Sequence, residues 1–370
     1  MSKNNLLKSL PERLSQLPSP KPAAGVDAYE LEKDLCLNSC NKKLNNYRKY
    51  LESKYDSSPN YLPIKMDIEN VSRCNFRCTM CVVSKWDKGK RAQDLLYDDY
   101  KKIIDQQYGL IEIKLQGIGE PSLQREELFK MIKYARKKNI WVRTTTNASL
   151  LHKNENYKKY IDADTNEIQI SIDGASKKVF ENIRKGGIFE KICENCKLIN
   201  DYSKEKNVSR TKMWTVVQKK NYDELEDLVY LSSELGFTNQ VFSLDINGWG
   251  IEEWEKSNNK ETVNYLYDIP RFENLVKIGE KNNVKVYFWV VAEKYSTDKK
   301  ENLCQWPFER TLISSDLRVV PCCTIGDPDV YQISNKNLNF EETWFGDEYT
   351  KFREAHLKGN IPKVCRACYY

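Results

Sequence analysis

Apolar and polar residues alternate with a period of two where Ile64, Met66 and Ile68 interleave with Lys65, Asp67 and Glu69, and this predicts a β-strand. Further strand-like runs follow at 111–116, 140–146, 167–172, 212–217 and 240–244. Between them the apolar spacing turns helical, as over 126–138 and 222–235. Alternating strands and helices predict an α/β fold with a parallel sheet and crossover helices. Six such units are two short of a closed TIM barrel. The expectation is therefore an open, partial (β/α)6 TIM barrel with ligands gathered at the C-terminal ends of its strands.

Directly after the first strand the chain reads Ser-Arg-Cys-Asn-Phe-Arg-Cys-Thr-Met-Cys-Val-Val, which sets Cys74, Cys78 and Cys81 on one short loop. Thiolates select zinc, copper(I) or iron-sulfur clusters. Three of them leave one coordination position for a group other than protein. Structural zinc sites pair CxxC knuckles and supply four ligands, and no fourth lies close by, so iron-sulfur is the favoured reading and zinc the alternative. This CxxxCxxC motif resembles the signature of the radical S-adenosylmethionine (SAM) enzymes. The resemblance implies a [4Fe-4S] cluster on Cys74, Cys78 and Cys81 with SAM on the fourth iron, and Met80 packing near the adenine. It implies reductive cleavage of SAM to a deoxyadenosyl radical that takes a hydrogen atom from substrate. A flavodoxin- or ferredoxin-type electron donor is the partner implied.

The ends of the later strands extend the likeness. Gln-Gly-Ile-Gly-Glu-Pro after the second strand resembles the glycine-rich motif that contacts the methionyl amino group, with Gly117 and Gly119 permitting close backbone approach and Glu120 supplying a carboxylate. The third strand ends in Thr144, Thr145, Thr146 and Asn147, similar to a Thr-Asn pair near the active site of the family. Ser171 and Asp173 in Ser-Ile-Asp-Gly are suited to hydrogen-bond the ribose or methionyl part of SAM, and Arg184 matches an arginine that pairs with its carboxylate. Taken singly, each of these is also ordinary turn chemistry.

A second constellation fills the last part of the chain: Cys304, then Pro-Cys-Cys with Cys322 and Cys323, then Cys365 and Cys368 in Pro-Lys-Val-Cys-Arg-Ala-Cys. Between them, 311–314 and 317–320 predict a hairpin and 341–358 a helix. With Glu-Glu-Thr-Trp-Phe and Lys-Phe-Arg, this order resembles the SPASM extension, or its shorter Twitch form. The resemblance implies one auxiliary [4Fe-4S] cluster on Cys304, Cys322, Cys365 and Cys368, since the sequence stops at Tyr370. Its spacing is like that of the Twitch-bearing aminocyclitol dehydrogenases. A four-thiolate zinc site is the alternative. An auxiliary cluster with no open iron suits electron transfer or structure.

Three reactions follow from that picture. Dehydrogenation of a small carbohydrate-like or aminocyclitol substrate is the leading expectation, with the cluster accepting an electron and His152, His356 or a carboxylate taking the proton. Epimerisation is the second, with Cys323 as hydrogen-atom donor. Modification of a ribosomal peptide is the alternative, set back by an N-terminal arm too short for a leader-binding winged helix. From another class, a non-catalytic iron-sulfur carrier or scaffold is opposed by the complete SAM set.

The expected divisions are a mobile arm at 1–26, a helical extension at 27–60, the barrel at 61–250, a connecting helix and strand at 251–303 and the Twitch/SPASM-like domain at 304–370. Cys36 and Cys40, four apart on one predicted helical face, and Cys193 and Cys196, three apart on another, read as structural thiols. Trp249, Trp289 and Tyr287 are candidates to line a substrate pocket or the core. A net charge of +6 from 59 basic and 53 acidic residues is a mixed surface, not a nucleic-acid footprint. No apolar run is long enough to span a membrane and no signal-peptide core opens the chain, so cytoplasm is expected, with a small molecule as substrate.

Overall fold

The computed structural model describes residues 17–370 apart from 88, 92, 264–267 and 335–338. Its centre is a nine-stranded sheet. The six expected strands are β1 (Lys65–Ile68), β2 (Glu112–Leu115), β3 (Trp141–Thr146), β4 (Glu167–Ser171), β5 (Thr211–Val216) and β6 (Asn239–Ser243), parallel and in chain order.

Two further parallel strands extend this set. β7 (Lys285–Trp289) adds beside β6, and β8 (Arg310–Ile313) adds on the free side of β1, with Met66 opposite Thr311. β8 also turns back into β9 (Val319–Val320), so the expected hairpin is present and is at the same time part of the barrel sheet. Among the described residues no ladder joins β7 to β9, and the barrel stays open.

Period-two alternation in these strands separates the core from the barrel lumen, not the core from solvent. Met66, Ile68, Ile113, Leu115 and Ile168 are fully buried against the helices. The polar positions between them are buried as well, Asp67 at 3% exposed and Glu112 at 4%. The covering helix Glu126–Arg136 turns Leu128, Phe129, Met131, Ile132 and Ala135 to the sheet, with Glu126 and Glu127 in its first turn and Lys133 and Arg136 in its last, which suits the helix dipole.

The N-terminal extension is a hairpin of α1 (Val26–Asn38) and α2 (Asn41–Ser53). The chain breaks between them, with Cys40 in extended conformation capping α2, so Cys36 and Cys40 do not share a helical face: Cys36 is buried and Cys40 exposed. Residues 1–16 of the expected mobile arm lie outside the described residues. The rest of it, 17–25, is packed: Leu17 is buried, Pro18 accepts a hydrogen bond from Phe288 N at 2.8 Å and Lys21 accepts one from Lys212 Nζ at 2.6 Å. The expected helix at 341–358 is two helices, Phe340–Phe345 and Asp347–Leu357, broken at Gly346, whose backbone is extended and whose missing Cβ would lie 2.5 Å from Glu342 O. No helix of the described residues is long and apolar enough to cross a membrane.

Candidate functional site

The loop after β1 is anchored from several sides. Glu69 is fully buried, accepts hydrogen bonds from Ile118 N at 3.1 Å and Ser315 N at 3.0 Å, and pairs with Arg91. It thus fastens the cysteine loop to the loop after β2 and to the β8–β9 turn. Gly117 and Gly119 serve the same packing. A Cβ on Gly117 would meet the Glu69 side chain at 2.2 Å, and one on Gly119 would meet Val71 O at 2.4 Å. The close approach that these glycines permit is first to the protein itself, although both also border the cavity described below.

Cys78 pairs with Arg184 in a two-residue antiparallel ladder, and the guanidinium Nη1 stands 3.9 Å from Cys78 Sγ. Arg184 Nη2 lies 2.8 Å from Asp173, which also accepts from Val216 N at 2.8 Å. Asp173 is therefore buried behind Arg184 and is not in the cavity wall, in contrast to the SAM contact expected of it. Asn147 Nδ2 lies 4.0 Å from Cys74 Sγ and 3.0 Å from Asn75 Oδ1. Burial pushes the Cys74 and Cys81 thiols up to about 12, and Cys78 upward also, with Arg184 opposing the rise at Cys78.

Glu120 is buried with its carboxylate fully engaged: it accepts from Ser122 N at 3.2 Å, Ser122 Oγ at 2.6 Å, Thr146 Oγ1 at 2.7 Å and Asn147 N at 2.8 Å. Burial raises its pKa and these bonds hold it back. On the other side of the loop, Trp249 Nε1 and Asn258 Nδ2 both donate to Met80 O at 3.2 Å. Val82, Val83, Ile118 and Trp254 form an apolar cluster around Cys74 and Cys81. The segment after β6 thus folds over the cysteine loop. Trp249 was a candidate in the sequence; Asn258 carried no signal there.

The C-terminal cysteines come from three segments: Cys304 before a short helix, Cys322 after β9, and Cys365 and Cys368 in the turn Lys363–Cys368. Burial pushes all four thiols up, Cys322 to about 11 and Cys368 to about 12, and Cys304 and Cys365 are raised further by the others of the set. Tyr369 Oη accepts from Cys304 N at 3.0 Å, and Tyr295 N donates to Cys368 O at 2.9 Å, so the turn is tied back to the rest of the domain.

One cavity of about 640 Å³ runs from the cysteine loop into the barrel lumen. Cys74, Cys78, Cys81, Met80, Gly117, Gly119, Glu120, Asn147, Ser171 and Arg184 all border its upper part, so the structure brings together every expected SAM-site residue except Asp173. Cys323 opens onto the same cavity with its side chain exposed there, and desolvation by the surrounding protein together with Asp67 pushes its thiol up to about 12. Trp249 and Trp289 border it; Tyr287 does not and is core. Neither expected histidine reaches it. His152 lies on the helical layer beyond β3, and His356 is buried with Nδ1 2.9 Å from Phe352 O. Cys196 is buried in the hydrophobic core and Cys193, on the same helix, packs half-buried against it. The lower part of the cavity carries Asp67, Lys114, Arg143, Glu167 and Lys212, none of which belongs to a recognisable motif. Their signal in the sequence is a charged residue within each of five successive strands.

The residues present fit the iron-sulfur groups that the sequence implies. The first site offers three buried thiols at one end of a cavity, with an apolar rim. The second offers four thiols close enough to raise one another. Among the described residues no three His, Cys, Asp or Glu side chains converge as on a single metal ion.

Comparison with known proteins agrees. Residues 70–231 match the radical SAM superfamily and residues 304–369 the iron-sulfur cluster-binding domain SPASM. The chain is 27% identical over 210 residues to the mycofactocin maturase MftC of Mycolicibacterium smegmatis, 56% of this chain and 51% of that protein. It thus spans about half the length of that curated relative. It is 28% identical over 329 residues, 81% of this chain and 86% of the other, to the tungsten-containing aldehyde ferredoxin oxidoreductase cofactor-modifying protein of Pyrococcus furiosus. Among solved structures, SuiB of Streptococcus suis bound to the precursor peptide SuiA superposes with a TM-score of 0.65 at 15% identity, covering 88% of this chain and 75% of that one.

Proposed function

We propose, for a chain that belongs to the radical SAM superfamily and carries a C-terminal SPASM-type auxiliary-cluster domain, the modification of a peptide substrate. Its cofactors are a [4Fe-4S] cluster with SAM and an auxiliary [4Fe-4S] cluster. What supports a peptide over the small carbohydrate expected from the sequence is the company the chain keeps: a maturase among its sequence relatives, and a fold neighbour bound to a precursor peptide.

In this reading Cys74, Cys78 and Cys81 hold the first cluster, and Cys304, Cys322, Cys365 and Cys368 the auxiliary one. Bound there, the cluster and SAM supply one-electron chemistry that removes a hydrogen atom from an unactivated carbon, and the auxiliary cluster supplies an electron acceptor. The chain's own residues prepare the site. Arg184, fixed by Asp173, offers a guanidinium at the thiol wall, suited to a carboxylate. Glu120 locks the ends of β2 and β3 to each other through its four accepted bonds, and so sets the position of Asn147. Trp249, Trp254 and Ile118 keep water from the loop side. With both histidines outside the cavity, a released proton falls to a cavity carboxylate such as Asp245 or Glu309.

A second reading keeps the small polar substrate, and the charged lower cavity is the observation that favours it. In that case Cys323, facing the cavity, is the hydrogen-atom donor of an epimerisation. The test is to reconstitute and reduce the protein with SAM and offer it synthetic peptides beside a panel of aminocyclitols and sugars. Peptide maturation requires deoxyadenosine formation coupled to a changed peptide mass. Turnover of the small polar compounds with every peptide unchanged would overturn it.

A further inference from the structure

Four adjacent strands set Asp67, Lys114, Arg143 and Glu167 in one cross-strand row, Asp67 opposite Lys114, Lys114 opposite Arg143, and Arg143 opposite Glu167. All four border the lower cavity. Two cations therefore stand side by side, an arrangement that costs free energy on a sheet and more so away from water.

The neighbouring carboxylates are already committed. Glu167 holds Lys212 at 2.9 Å, and Asp67 lies 3.8 Å from Arg310. Glu112 takes Arg143 at 3.2 Å, Arg310 at 3.4 Å and the Tyr29 hydroxyl at 3.0 Å. Among the described residues no hydrogen bond or ion pair reaches the Lys114 ammonium. Arg143 Nε is buried without a hydrogen bond, its distance of 3.9 Å to Glu167 being too long for one. Lys114 is half-buried, and cations drawn out of bulk water are ordinarily paired, so an unpaired one facing a cavity is placed to take an anion from outside the chain.

We propose that Lys114, backed by Arg143, is an anion-binding subsite that receives a carboxylate of the substrate on the cavity floor. The nature of the substrate rests on the proposed function, where the carboxylate belongs to an acidic side chain or to the C-terminus of a peptide. Lys114, on β2, lies two residues before Gln116, which follows the strand, and so about 7 Å further down the lumen by strand rise. The substrate is thus held by its charge below while a carbon of its body stands at the thiol end. Burial and Arg143 depress the Lys114 pKa, the direction expected of an ammonium that lacks its counter-ion.

The probe is glutarate, titrated calorimetrically into reconstituted wild-type protein and into Lys114→Met and Lys114→Arg, beside inorganic phosphate. Binding retained by wild type and Lys114→Arg and weakened at least tenfold in Lys114→Met is the expected result. Equal affinity in Lys114→Met, or wild-type protein that takes phosphate and refuses glutarate, overturns the assignment. Wild-type protein gives a readout free of folding effects: glutarate slows the reaction of Lys114 with acetic anhydride, read by peptide mass, and absence of protection counts against the subsite. With a processed peptide in hand, amidation of its C-terminus or of each acidic side chain tells which carboxylate is held, by the rise in KM. Glutarate binding that depends on Lys114 while no peptide is processed removes the peptide reading and keeps the subsite. Processing with an unchanged KM in Lys114→Met does the reverse.

Discussion

Arg184 joins Cys78 to Asp173: one nitrogen of its guanidinium lies 3.9 Å from the thiol and another 2.8 Å from the carboxylate behind it. In the proposed function the guanidinium that faces an anionic ligand at the thiol wall is thus aimed by the carboxylate behind it. Removing one partner of a buried pair costs about 3–5 kcal/mol, because the other charge is left uncompensated. Asp173→Asn is expected to lose stability of that order in urea unfolding and to bind SAM more weakly by calorimetry. A variant with wild-type stability and SAM affinity would show that Arg184 is positioned by other means.

Acid should loosen the barrel floor through Glu112. Burial alone would raise its pKa, but Arg143, Arg310 and Lys65 prevail and hold it at about 2, against an ordinary 4.5. A pKa depressed by folding contributes stability that is complete above pH 4.5 and disappears as the pH falls to 2. The contribution is about 3 kcal/mol by linkage. Unfolding free energy measured between pH 6 and pH 2 should therefore fall more steeply for wild type than for Glu112→Gln. Parallel pH profiles would contradict this.

Gly119→Ala tests the fastening of the loops. Its Cβ would stand 2.4 Å from Val71 O and 2.5 Å from Arg73 O, both backbone atoms that cannot swing aside. The expected cost is at least the 1–3 kcal/mol of an overpacked site, together with a lower iron content after reconstitution. Full iron loading at wild-type stability would show that the loop shifts freely.

Iron counts separate the two thiol sets. Replacement of Cys74, Cys78 and Cys81 by Ala should reduce two [4Fe-4S] clusters to one by Mössbauer spectroscopy, and Cys365→Ala with Cys368→Ala should remove the other. Zinc in place of the second cluster would remove the electron acceptor from the mechanism.

What the sequence made legible was local. CxxxCxxC, the six strands and the thiol-bearing turns each lie within a short stretch, and each stands where expected. The misses are matters of long-range pairing. That 310–313 joins β1 follows from hydrogen bonds between segments some 245 positions apart, and no periodicity reports them. The alternation of β1 shows two faces without telling that Asp67 looks into a lumen instead of water. Asp173 and Arg184 were both visible, but their being partners rather than two separate ligand contacts depends on how the loops after β4 and β1 meet. His356 seemed a base by residue type alone, and its burial against Phe352 excludes it.

The pairing of β8 with β1 bears on how this chain can be divided. A cut before residue 304 would strip β1 of a neighbour, exposing a row of unsatisfied amides and carbonyls on the strand that leads into the CxxxCxxC loop, and such an edge invites self-association. Glu69 would lose Ser315 at the same stroke. Fusions, chimaeras and truncations should therefore treat the Cys304 segment and the barrel as a single inheritance, with any exchange of auxiliary domains made after Val320 and not before it.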